Sequence, residues 1–132
     1  MTCQIIIVQE AETLNAKELA DKIFAVDKNI RYVSVVGGLK NEILESRMRE
    51  GVKSLSRDKE DRWFAQVLAP VMLEGAEKLE QDLGTITYSL VRYFKVTMVM
   101  MRIQGYFVTF SVEPAVDAMD LYQEIIGQIR LF

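Results

Sequence analysis

Hydrophobic positions along the chain change their period several times, and each change marks an element. From Thr13, a good N-cap residue, "LNAKELADKIFAVD" sets Leu14, Leu19, Ile23 and Val26 at helical spacing. "IRYVSVV" is rich in branched and aromatic residues and stops at Gly37-Gly38, a turn signal. "NEILESRM" resumes with Ile43, Leu44 and Met48, so the two stretches predict a hairpin. The opening dozen residues are ambiguous, because Ile5, Ile6, Ile7 and Val8 suit a short strand or the first turns of a helix. They are expected to form a loosely attached N-terminal segment of a single domain spanning residues 1–132.

A long helix is predicted from about Asp58 to Leu83, with Ser56 as N-cap and Asp58, Glu60 and Asp61 at the positive end of its dipole. At about 100° per residue, its apolar positions from Trp63 to Leu83 cover an arc of roughly 220°. A helix lying on one sheet needs only about half that width. The excess predicts cover from two sides, by its own sheet and by another chain, with Phe64, Leu68, Val71, Met72 and Leu79 as the expected dimer contacts. Pro70 removes a backbone donor inside this helix and predicts a kink. Gly84 closes it.

Three strands follow: "TITYSLVRY", "VTMVMMRI" and "YFVTFSV". Gln104-Gly105 makes a tight turn between the last two, and Arg92 to Lys95 a more apolar turn between the first two. The middle strand is apolar on both faces, as a covered central strand should be. After Glu113-Pro114, a last helix over 115–129 offers Met119, Tyr122, Ile125, Ile126 and Ile129 as its buried side. The order α-β-β-α-β-β-β-α predicts an α+β fold, a five-stranded antiparallel sheet with helices packed on it.

Composition narrows the chemistry. The chain has 132 residues, 16 Lys and Arg against 19 Asp and Glu, no His, and a formal charge of -3. Lacking histidine, it has neither the commonest general base near neutral pH nor the commonest nitrogen ligand for metals. Cys3 is the only cysteine, so no intrachain disulfide forms and a cytoplasmic setting is expected. Acidic balance argues against nucleic acid, and the short aliphatic run at the start argues against a membrane span. Asp27, Glu42, Glu45 and Glu113 sit near predicted element ends, but no pair stands out for acid–base work and no serine sits in a nucleophile elbow. The expectation is a non-enzyme without metal or cofactor.

One charged bridge separates hairpin and helix. Arg47, Arg49, Lys53, Arg57, Lys59 and Arg62 stand there against Glu50, Asp58, Glu60 and Asp61. Arg47, Arg49 and Lys53, beside Gly51, are the candidates for holding an anion or a partner's carboxylate; the competing reading is a solvated loop leading into a helix. A phosphate-cradling G-x-x-x-x-G-K-S/T is absent. Tyr93 and Phe94, at a turn, require cover from within the monomer or from a partner.

The element order over about residues 13–131 resembles the Roadblock/dynein light-chain superfamily and, more loosely, profilin-like and PAS-like folds. "IRYVSVV", "RMREGVKSL" and "FSVEP" together are similar to a family of small archaeal proteins with an MREGV segment, although the glycine-rich "VGGLKNE" and Pro70 depart from its pattern. The Roadblock resemblance implies a homodimer built through the long helix and a neighbouring strand, acting as a platform or regulator for small GTPases and motor complexes. The looser resemblance implies the alternative, a small-molecule sensor with a pocket between sheet and helices.

Overall fold

The computed structural model describes residues 13–132; the expectation for residues 1–12 lies outside them. Helix α1, Ala16–Val26, leads into the hairpin of β1, Ile30–Gly37, and β2, Glu42–Met48. A long helical stretch follows as α2, Asp58–Trp63, a π-turn over Phe64–Leu68, α3, Ala69–Glu77, and α4, Glu80–Leu83. Strands β3, Ser89–Arg92, β4, Thr97–Ile103, and β5, Tyr106–Val112, precede α5, Ala118–Gln128. As the sequence predicts, the five strands form one antiparallel sheet; their order is β2-β1-β5-β4-β3.

Strand alternation sends side chains to opposite faces. Val33 and Val35 of β1, Val99, Met101 and Ile103 of β4, and Val108, Phe110 and Val112 of β5 form one core with Leu19 and Ile23 of α1 and Leu121 and Ile125 of α5. On the other face Val36, Met100 and Phe107 pack under Phe64, Ala65, Ala69 and Leu73 of the long helical stretch. Gln104 and Gly105, with φ of 51° and 86°, supply the two left-handed residues that a tight β4–β5 turn requires.

Four boundaries differ from expectation. Asn15, not Thr13, caps α1, because its side chain accepts from the Glu18 N–H while Glu18 accepts from the Asn15 N–H, a reciprocal capping box. Arg57 occupies the N-cap position of α2 without a side-chain capping bond, and the Ser56 hydroxyl goes to Asp61 instead. Strand β3 is half its expected length, since the Ile86 N–H donates to the Glu80 carboxylate at 2.8 Å rather than to β4. Helix α5 begins after Asp117, whose carboxylate accepts from the N–H groups of Met119 and Asp120, and it buries Leu121 while leaving Met119 and Ile126 exposed.

Pro70 produces a widened turn. The Ala69 N–H bonds the Phe64 carbonyl, five residues back, directly before the proline. A proline has no N–H for the carbonyl four residues earlier, and its ring crowds that carbonyl. Admitting one extra residue into the turn relieves both problems. The same insertion moves Phe64 and Ala69 together onto the sheet.

Candidate interaction surface

Three sequence stretches that lie far apart in the chain converge at the carboxyl end of α1. Arg49 of "RMREGVKSL" donates from Nε to the Ile30 carbonyl at 2.7 Å, and from Nη2 to the carbonyls of Phe24 at 2.6 Å and Asp27 at 2.8 Å. Its guanidinium lies 5.2 Å from the Phe24 ring centroid. A fixed cation at the carbonyl end of a helix is also favoured by the helix dipole. Arg31 of "IRYVSVV" pairs with Glu113 of "FSVEP" at 2.7 Å and donates to the Lys53 carbonyl at 2.9 Å. The Arg49 N–H donates to the Arg31 carbonyl at 2.7 Å. This latch ties the bridge to the helix, the sheet and the last strand at once.

The three expected anion contacts therefore separate. Arg49 is spent on backbone carbonyls. Arg47 pairs with Asp21 and stacks over Phe24 at 5.4 Å; its hydrogen bond holds the exposed Asp21 carboxyl below the usual carboxylate range. Only the Lys53 side chain is exposed, while its backbone carbonyl serves Arg31. No convergent anion cradle joins the three. Among the four candidate carboxylates, Glu113 is held by Arg31 and Asp27 accepts from the Asn29 N–H at 2.7 Å. Among the described residues, no cluster of His, Cys, Asp and Glu has the makings of a metal site, and no helix is long and apolar enough to cross a membrane.

The long helical stretch presents a different surface. Phe64, expected at a subunit contact, is only 7% exposed and belongs to the monomer's own core. Leu68 and Met72 are half-buried against that core. Val71 is 64% exposed and Leu79 is 55% exposed, and Trp63 and Val67 are exposed beside them. Trp63 and Val67 lie within the over-wide apolar arc, so their signal is visible in the sequence. Which side of the arc faces out is set by the π-turn, which a regular helical wheel does not contain. At the sheet's edge, Leu90 of β3 and Tyr93 after it are exposed and Phe94 is 98% exposed. Leu90 pairs with Val99 and so stands on the α1 and α5 face, while Tyr93 and Phe94 belong to the β3–β4 turn.

A groove opens at the amino end of α2, between Leu55 and Ser56 on one side and the β3–β4 turn on the other. Asp61 lies on its helix wall, bonded to the Ser56 hydroxyl. Burial pushes the Asp61 carboxyl above its ordinary value, with the neighbouring charges of Asp58 and Glu60 adding to the effect and the Ser56 bond opposing it. Below it the Tyr32 hydroxyl meets Ser46 at 2.7 Å, and burial raises the phenol further from neutrality.

No protein-family model and no curated protein matches the chain. Solved structures do. The fold is similar to gliding protein MglB from Thermus thermophilus, with a TM-score of 0.61 and 6% identity over 90% of each chain. It is similar to MglB in a tetrameric arrangement, with a TM-score of 0.62 and 6% identity, covering 90% of this chain and 89% of that one. A Roadblock/LC7 domain from Streptomyces avermitilis matches with a TM-score of 0.51 and 14% identity, covering 79% of this chain and 85% of that one. At such identities the likeness concerns the fold, which is Roadblock-like.

Proposed function

We propose that the protein is a non-catalytic, homodimeric regulatory platform whose long helical stretch forms much of the subunit contact and whose partner is a small GTPase. The observation that carries the dimer is the row Trp63, Val67 and Val71, apolar and exposed on a helical stretch whose opposite side is already packed, with Leu79 exposed in the turn between α3 and α4. Exposed apolar residues in a contiguous row mark contact surfaces, whereas scattered ones do not. Leu68 and Met72 flank the row, and Phe64 supports it from below. The GTPase is what the Roadblock-like fold suggests by analogy.

Light scattering at micromolar concentration tests the dimer: a mass near twice the 15.1 kDa chain supports it, and a monomer removes it. Binding of purified small GTPases, loaded with GDP or a GTP analogue, tests the partner separately. The alternative sensor reading needs a pocket between sheet and helix. Leu19, Ile23 and Ile125 fill one seam and Ala65, Ala69 and Leu73 the other, but a cavity of about 760 Å³ lies among Glu77, Ile86, Arg102, Gln104 and Tyr122. A thermal-shift screen against nucleotides and metabolites therefore tests this reading, and no shift counts against it.

A further inference from the structure

The groove at the amino end of α2 combines an open apolar wall with an uncompensated carboxylate. Leu55 is 54% exposed, Tyr93 is exposed and Phe94 almost wholly so, with Val96 and Met98 beneath. The groove's volume of about 480 Å³ falls in the range of ligand-binding clefts. On the helix wall, Asp58 is paired with Arg62 at 2.9 Å and Glu60 with Arg57 at 2.7 Å. Asp61 has the Ser56 hydroxyl and, among the described residues, no cation. Lys95 stands on the opposite wall and makes no ion pair with it.

These features define the occupant. Leu55, Phe94, Val96 and Met98 all line the groove, and an extended segment lying along it covers them together. Covering an unpaired carboxylate with apolar material costs free energy, and a cation brought by the ligand offsets that cost. We infer that the groove is a docking site for an extended partner segment presenting a large apolar residue beside a lysine or arginine, the apolar side chain lying between Leu55 and Phe94 and the cation on Asp61. Its exposed lining shares no residue with the outer helix row proposed as the subunit contact.

Selection of a phage-displayed random dodecapeptide library on the immobilised full chain tests this without a presumed sequence. The expected result is enrichment of peptides with an aromatic or aliphatic residue next to Lys or Arg. Synthesised, such a peptide should bind the wild type and lose at least tenfold in affinity to Asp61→Asn and to Phe94→Ser. Phe94 is almost wholly exposed, so its variant keeps the fold, and circular dichroism verifies that for both. No enrichment, enriched peptides without a cation, or binding indifferent to both substitutions overturns the proposal. If either substitution instead turns a dimer into a monomer by light scattering, the groove is covered by a second copy and the peptide reading is wrong. The outer-row variant Val71→Glu should leave peptide affinity unchanged, which separates failure of this site from failure of the dimer.

Discussion

The two faces of the sheet are covered to different degrees. On the α1 and α5 face, fully buried Leu19, Ile23, Phe110, Leu121 and Ile125 close a core shared by two helices and three strands. On the opposite face, among the described residues, a single helical stretch covers a smaller core, above a sheet that includes Ser34 and Thr109 directly across from one another. That helical stretch also keeps a second apolar side turned outward. The first face has the composition of a core that is complete within one chain. The second has more apolar surface than its own sheet can bury, and that imbalance is the physical basis for assigning contacts to it.

Substitutions sharpen the contrast, and the largest effect belongs to the closed face. Phe110→Ala should lower unfolding free energy by about 3–5 kcal/mol in urea titration, since the ring is fully buried. Arg49→Met should cost about 2–3 kcal/mol, because three backbone carbonyls lose a charged donor. Lys53→Ala should change stability by less than about 0.5 kcal/mol, as befits an exposed side chain. If Arg49→Met proves as mild as Lys53→Ala, the latch is not structural. The smallest effect is electrostatic. The folded Asp61 pKa lies above its unfolded value of 3.8, so ionising it costs stability as pH rises through the folded pKa. Asp61→Asn should therefore raise the Tm slightly at pH 7, and the gain should vanish below pH 3.8. A gain that grows on acidification would reverse the assignment.

Much of the closed face is legible in the sequence. Leu14, Leu19, Ile23 and Val26 are buried as their spacing predicts, and the strand pattern gives all five strands and their three hairpin pairings. The β1–β5 pairing that joins the two halves of the sheet has no local signal, because its partners lie far apart in the chain. In α5, Ile125 and Ile129 are buried as expected, but Leu121 takes the place of Met119; both are apolar, and periodicity alone does not weigh them. The open face is less legible for a local reason. Pro70 announces a disturbance, but its form is a π-turn that shifts the helical phase, so Phe64 turns inward and Val67 and Val71 outward. The bridge is the least legible part. Arg49 looks like a free base in "RMREGVK", and only the folded chain brings it to the carbonyls of Phe24, Asp27 and Ile30. Its role depends on contacts across more than one element, which no local pattern encodes.

A second copy of the chain on the outer helix row is the feature on which the proposed function rests. Sedimentation equilibrium of the wild type and of Val71→Glu addresses it directly. The expected result is a wild-type mass of twice 15.1 kDa, and a variant at the monomer mass with an unchanged circular dichroism spectrum. A monomeric wild type, or a folded variant that remains a dimer, contradicts it.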